Sequence, residues 1–247
     1  MHCSKHYNRQ GFLIIEFLRN QGYVTIYEGE EIAMFGCEFS AASFSAELYN
    51  YFDIQLPDSL ARAVASRQAE FLAGRFCARS ALRKVCGDVE SVPIGPHRSP
   101  VWPVGVVASI SHTRSSAVCV AGSKDNLKYL GVDIAAWMTQ SVAQEVSDKV
   151  VNPAEAALLA TLGCSFERAL TLAFSAKESL FKALYPDVGS YFGFEAAEIT
   201  SVSLSAGSFE LTLTQNLASE LSAGASFAGV FSIEASAIRT LLFVTQQ

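Results

Sequence analysis

The sequence is half hydrophobic over its 247 residues, yet no run approaches the ~20 consecutive apolar residues that cross a bilayer. A basic excess is missing too. The formal net charge of −6 argues against a general nucleic-acid binder, so any anionic ligand must be held by a local cluster. The six cysteines, Cys3, Cys37, Cys77, Cys86, Cys119 and Cys164, contain no Cys-x-x-Cys pair. Four of them stand in apolar contexts, and free thiols are expected rather than a disulfide frame. No Gly-x-Ser-x-Gly elbow surrounds Ser109 or Ser111, which sets aside a serine hydrolase. His2 and His6 are four apart, but with no further ligand nearby they fit a frayed chain end better than a metal site. The apolar stretch Phe12 to Leu18 is broken by Glu16 and has no small-residue cleavage site, so it does not read as a signal peptide. A soluble, cytoplasmic protein is expected.

The chain can form one large domain or two small halves. Residues 1 to about 56 hold short apolar runs, Phe12 to Leu18, Tyr23 to Tyr27 and Ile32 to Phe39, that predict extended structure with loops. Pro57-Asp58-Ser59 opens a helical region from about Leu60 to Val85, stopped by Gly87. The proline-rich residues 91 to 105 predict an irregular loop. Strands follow at Val106 to Ser111 and Ser116 to Ala121. The polar Lys124-Asp125-Asn126 divides the chain into halves 1–124 and 125–247. The second half opens on a buried strand, Tyr129 to Ile134. Asn152-Pro153-Ala154-Glu155 starts a helix with a capping box, and a further helix runs from about Phe166 to Leu184. Strands near Phe209 to Thr214, Phe227 to Glu234 and Ile238 to Thr245 complete an α+β fold class.

Three short segments carry the chemistry: Gly131-Val132-Asp133-Ile134, the helix Ser175-Ala176-Lys177-Glu178-Ser179-Leu180-Phe181-Lys182, and Ile110-Ser111-His112-Thr113. Two carboxylates, a histidine and two lysines suit a magnesium-diphosphate site. Asp133 lies in an apolar strand, where an ionised carboxylate costs several kcal/mol without a partner. It needs a cation, or backbone N–H donors at a strand end. Lys177 falls on the apolar stripe of its helix and must snorkel outward or meet an anion in a cleft. Glu178 and Lys182 are four apart and can equally be a surface pair contributing about 0.2–0.5 kcal/mol. Arg75, Arg79 and Arg83 stack like charges on one helical face, which a bound phosphate or solvent must relieve. His112 ends a strand and could be a satisfied core histidine or a phosphate donor, with Ser111 on the opposite side of the strand.

In order, Gly74-Arg75-Phe76-Cys77-Ala78-Arg79-Ser80-Ala81-Leu82, Pro93 to Pro103, Ser109-Ile110-Ser111-His112, Gly131-Val132-Asp133-Ile134 and Phe174 to Lys182 resemble the 4'-phosphopantetheinyl transferases, most of all the enterobactin synthase component D branch. The matched segments span about residues 58 to 184. The resemblance implies two similar α+β halves in a pseudo-twofold arrangement with coenzyme A in the cleft between them. It implies Mg2+ held by Asp133 and Glu178, and coenzyme A contacts from Arg75, Arg79, Arg98, Ser111, His112, Lys177 and Lys182. Glu178, Lys177 and Lys182 are the implied catalytic residues: Glu178 accepts a serine proton, and the lysines stabilise the leaving phosphate.

The implied reaction moves the phosphopantetheine arm of coenzyme A to a serine of an apo acyl, peptidyl or aryl carrier protein, releasing adenosine 3',5'-bisphosphate. Siderophore synthesis is the natural setting, with other nonribosomal peptide, polyketide and fatty-acid carriers within reach. A complete site in one chain would permit a monomer. Many family members carry an acid two positions after the strand aspartate, where this chain has Ala135. That departure leaves open a degenerate paralogue that binds coenzyme A or a carrier protein without turnover.

Overall fold

A computed structural model describes residues 16–26 and 31–246. His2, His6, Cys3 and most of the run Phe12 to Leu18 lie outside the described residues, as does the end of the run Tyr23 to Tyr27. The described residues form two compact units: one holds residues 16–25 and 31–123, the other residue 26 and residues 124–246. Each has its own apolar core. The fold class is α+β.

In the N-terminal unit β1 (Leu18–Tyr23), β2 (Ala33–Phe39), β3 (Val106–His112) and β4 (Ser116–Ser123) form an antiparallel sheet in the order β1-β2-β4-β3. A short helix α1 (Glu47–Tyr51) precedes α2 (Ala65–Cys86), which packs on β2, β3 and β4. Ala, Leu and Arg favour α2. Its buried stripe is made mostly of small residues, Ala69, Ala73, Gly74, Cys77, Ala78 and Ala81, which lets the helix lie close on the sheet. A Cβ at Gly74 would stand 3.3 Å from Ile110 Cγ2. Gly87 ends the helix at φ 85°, a conformation open mainly to glycine. The helix starts at Ala65 rather than near Leu60 because the Gln68 amide takes the carbonyls of Leu60, Ala61 and Ala63 at 3.1, 3.3 and 3.1 Å. Residues 58–60 form only a 3-10 turn.

In the C-terminal unit β5 (Leu127–Ala136), β6 (Ala197–Ser203), β7 (Ser208–Leu213), β8 (Ser226–Ile233) and β9 (Ala237–Thr245) form an antiparallel sheet in the order β5-β9-β8-β7-β6. Helices α3 (Gln140–Val150), α4 (Pro153–Ala160) and α5 (Phe166–Val188) fill the long connection from β5 to β6. The capping box at α4 is present in full. Asn152 Oδ1 accepts from the Glu155 amide, and Glu155 Oε2 accepts from the Asn152 amide, both at 2.9 Å. α5 packs along β5 and β9 through Ala169, Leu170, Ala173, Ala176, Leu180, Ala183 and Leu184. It runs past Pro186, which costs one intrahelical bond, and ends at Gly189 with φ 68°. α1, α3 and β6 have no forecast in the sequence, and β1 occupies Leu18–Tyr23, between the two apolar runs expected to be extended.

Candidate active site

Period-two alternation sends Gly131, Asp133 and Ala135 of β5 to one face, the face that α5 covers. Gly131 sets the approach. A Cβ there would stand 2.0 Å from the Ser179 carbonyl oxygen and 2.8 Å from the Ala183 amide, so only glycine lets strand and helix backbones meet this closely. Two residues on, Asp133 is 4% exposed and reaches the helix with both carboxylate oxygens. Ser175 Oγ donates to Oδ2 at 2.8 Å, and Lys182 Nζ lies 2.5 Å from Oδ1.

Positions 175, 178 and 182 are three and four residues apart, so they share one helix face. Thr240, the cross-strand partner of Asp133 on β9, braces that face. Its Oγ1 donates to the Ser175 carbonyl at 2.9 Å and lies 3.0 Å from Ser175 Oγ. Both hydroxyl residues are fully buried. Glu178 is half-buried, and its carboxyl is held above its ordinary value. Burial is the main cause; the neighbouring Lys182 ammonium opposes it, and the Asp133 carboxylate adds to it. Asp133 and Lys182 are thus in contact, and Glu178 lies within electrostatic reach of both.

Lys177 is placed elsewhere. Its ammonium is buried against Glu155 Oε1 at 2.7 Å and donates to the carbonyls of Val150 at 2.8 Å and Phe194 at 3.1 Å. An ammonium has three N–H donors, and these contacts use all of them. The expectation that Lys177 faces a cleft and contacts phosphate is therefore corrected: the anion it meets is an internal glutamate. Its pKa is lowered, chiefly by burial, with Glu155 acting the other way.

In the N-terminal unit, Arg75 and Arg79 line a recess with Ile54, Gln55, Phe71 and Val92. Arg75 stacks over the Phe71 ring at 4.6 Å, and its buried Nε has no hydrogen-bond partner. Burial lowers its pKa to about 10. Arg79 donates to the Asp53 carbonyl at 3.2 Å. Arg83, the third rung of the ladder, turns to solvent and pairs with Asp88 at 2.5 Å. Arg98 is exposed at φ 64° in the loop before β3.

His112 lies on the α2 face of β3, where Arg67 Nη1 stands 2.9 Å from its Nε2 and 3.0 Å from Glu70 Oε2. Ser111, on the opposite face, is buried. Arg67, Ser175 and Thr240 had no role in the sequence reading, and Glu155 was read only as the capping-box residue of α4. Ser175 alone left a signal, three positions before Glu178 on the same helical face.

Among the described residues, no group of three or more His, Cys, Asp or Glu side chains is disposed to hold a metal ion. Asp133 and Glu178 nonetheless fit Mg2+. They are hard oxygen donors close enough for the Asp133 carboxylate to raise the Glu178 carboxyl, and Mg2+ commonly takes one or two protein carboxylates, completing its shell with water and substrate phosphate oxygens.

Comparison with known proteins bears on what this cluster serves. The 4'-phosphopantetheinyl transferase N-terminal domain matches residues 56–122, and the 4'-phosphopantetheinyl transferase superfamily matches residues 129–230. Enterobactin synthase component D of Salmonella typhi is 41% identical over 168 residues, covering 67% of each chain. The protein of the same name from Escherichia coli (strain K12) is 40% identical over 151 residues, 59% of this chain and 68% of the relative. The 4'-phosphopantetheinyl transferase PptT of Mycobacterium tuberculosis is 34% identical over 143 residues, 57% and 61% of the two chains. Asp133, Glu178 and Lys182 fall inside the superfamily match, and Arg75, Arg79 and His112 inside the N-terminal one. With about 40% identity sustained across two thirds of a relative, the chain belongs to the 4'-phosphopantetheinyl transferase superfamily.

Proposed function

We propose that this chain is a Mg2+-dependent holo-[carrier protein] synthase in which Asp133 and Glu178 hold the metal and Glu178 serves as the proton acceptor. In the reaction, a carrier-protein serine Oγ attacks the phosphorus that bears the pantetheine arm of coenzyme A. A new Oγ–P bond forms, the bridging P–O bond breaks, and adenosine 3',5'-bisphosphate leaves with the bridging oxygen. The serine proton passes to the Glu178 carboxylate, directly or through water.

Lys182, poised on Asp133 and a quarter exposed, neutralises charge on the leaving phosphate. Ser175 and Thr240 keep the Asp133 carboxylate aimed. Bound Mg2+ would supply charge neutralisation at the diphosphate. In the N-terminal unit, Arg75, Arg79 and Arg98 hold the adenosine 3'-phosphate and its neighbours, with His112 and Ser111 at other phosphate groups. The unpartnered Arg75 Nε is the atom that most needs such an acceptor.

The observation that carries this reading is the Asp133, Glu178 and Lys182 cluster in a member of this superfamily. Siderophore synthesis is the proposed setting, since the relatives named above include enterobactin synthase component D. The enzyme is proposed to act as a cytoplasmic monomer; among the described residues no helix is long and apolar enough to cross a membrane. The test is intact-mass analysis of apo carrier proteins from peptide, polyketide and fatty-acid systems after incubation with enzyme, coenzyme A and Mg2+. A gain of one phosphopantetheine that chelator abolishes supports the reading. Coenzyme A binding without transfer to any carrier would instead make this a non-catalytic paralogue.

A further inference from the structure

The Glu155 to Lys177 ion pair is the most enclosed charged contact among the described residues, with both side chains 3% exposed. The acceptors of the lysine come from three segments: the last residue of α3 (Val150), the first turn of α4 (Glu155), and the 3-10 turn Phe194–Ala196 ahead of β6. Glu155 is itself fully engaged. Its Oε1 also accepts from the Ile199 amide of β6 at 2.8 Å, and its Oε2 caps α4. One ion pair therefore fastens α3, α4 and β6 to α5, at the residue before Glu178.

Successive residues of an α-helix diverge by about 100°, so anchoring Lys177 fixes the direction in which Glu178 points. The apolar contacts of α5 nearby come from Leu172, Ala173, Ala176, Leu180 and Ala183, and apolar burial is itself non-directional. A buried ion pair adds little net stability over an apolar pair of similar volume, but it can specify a single arrangement.

Resting on the reading of Glu178 and Lys182 given above, we propose that Glu155 and Lys177 are positioning residues that set the rotation of α5 so that Glu178 and Lys182 both meet Asp133. Neither touches coenzyme A or the carrier serine.

The test uses the full-length enzyme and the double variant Glu155→Leu/Lys177→Met, which replaces the pair by apolar side chains. Circular dichroism reports folding, calorimetry reports Mn2+ affinity without turnover, and steady-state kinetics reports kcat and the KM for coenzyme A. The folded double variant is expected to lose on the order of 10²-fold in kcat, with KM changed by less than about 3-fold, and about 10-fold in Mn2+ affinity. Wild-type kcat and Mn2+ affinity in a folded double variant would overturn the proposal. If that variant does not fold, Glu155→Gln keeps an acceptor for the Ile199 amide while removing the charge, and wild-type kcat there overturns it equally. Glu178→Gln assayed alongside separates the two ideas. Transfer retained in that variant defeats the site reading, whereas transfer lost there but normal in the double variant defeats only the positioning role.

Discussion

Lys182 Nζ on α5 lies 2.5 Å from Asp133 Oδ1 on β5, across a helix–strand contact that Gly131 alone makes possible. The pair supplies the cation that a carboxylate in so apolar a strand requires. Replacing Lys182 by Met removes this cation from Asp133 and leaves the Ser175 hydroxyl donating to it. The metal-free variant should lose about 1–3 kcal/mol, and adding Mg2+ should restore more stability to it than to the wild type. Thermal unfolding with and without Mg2+ measures both effects; equal increments would mean that the metal does not reach Asp133.

Glu178→Gln should lower transfer on the order of 10²–10⁴-fold while making the metal-free protein more stable near neutral pH. The sign follows from the carboxyl being held above its ordinary value by burial. Between the unfolded and folded pKa values the native state binds more protons, so stability falls as pH rises through that window. Below the unfolded pKa the carboxyl is neutral in both states and that cost vanishes. The difference in melting temperature between Glu178→Gln and wild type should therefore grow from about pH 4 upward. A difference that does not change with pH would show that burial leaves the carboxyl unperturbed.

Much of this site was legible where the signal is local. Asp133 in an apolar strand announces a buried partner, and the spacing of 175, 178 and 182 places three polar groups on one helix face. The capping box of α4 was readable from four consecutive residues. What stayed hidden is non-local. Thr240 lies 65 residues from Ser175, and nothing around it in the sequence marks it as polar ballast for Asp133. Lys177 on an apolar stripe was readable as snorkelling or facing a bound anion, but its partner comes from α4, 22 residues earlier. α3 escaped notice because Gln140–Val150 is largely polar with several β-branched valines, which helices tolerate poorly; Thr139 caps it and Ala143 and Val150 anchor it.

Gly131→Ala probes the approach of strand and helix directly. The added methyl would meet the Ser179 carbonyl oxygen and the Ala183 amide, both backbone atoms, so neither can rotate away. A loss of roughly 3 kcal/mol or more is expected, seen as a lower denaturant midpoint, and the residual folded enzyme should transfer poorly because Lys182 is carried off Asp133. Gly22, where a Cβ meets nothing within 4 Å, is the control; an equal loss there would show that backbone freedom, not close packing, is what the glycine provides.

Ala135 offers the sharpest reading of the metal. It lies two residues after Asp133 on the same face of β5, about 7 Å along the strand, and is 8% exposed. A glutamate at this position adds a third carboxylate beside Asp133 and Glu178. Without a divalent ion the added carboxylate repels those of Asp133 and Glu178, so Ala135→Glu should destabilise the protein by about 1–3 kcal/mol. With the ion present the new carboxylate can replace a water in its shell, and the loss should be largely recovered. The same replacement should change the ratio of Mg2+- to Mn2+-supported transfer, because these ions differ in how readily they exchange water for carboxylate. Melting temperatures across a metal titration, read with the Mg2+ to Mn2+ activity ratio, decide the matter. Destabilisation that no divalent ion relieves would place position 135 beyond the metal and leave Asp133 and Glu178 as its whole protein shell.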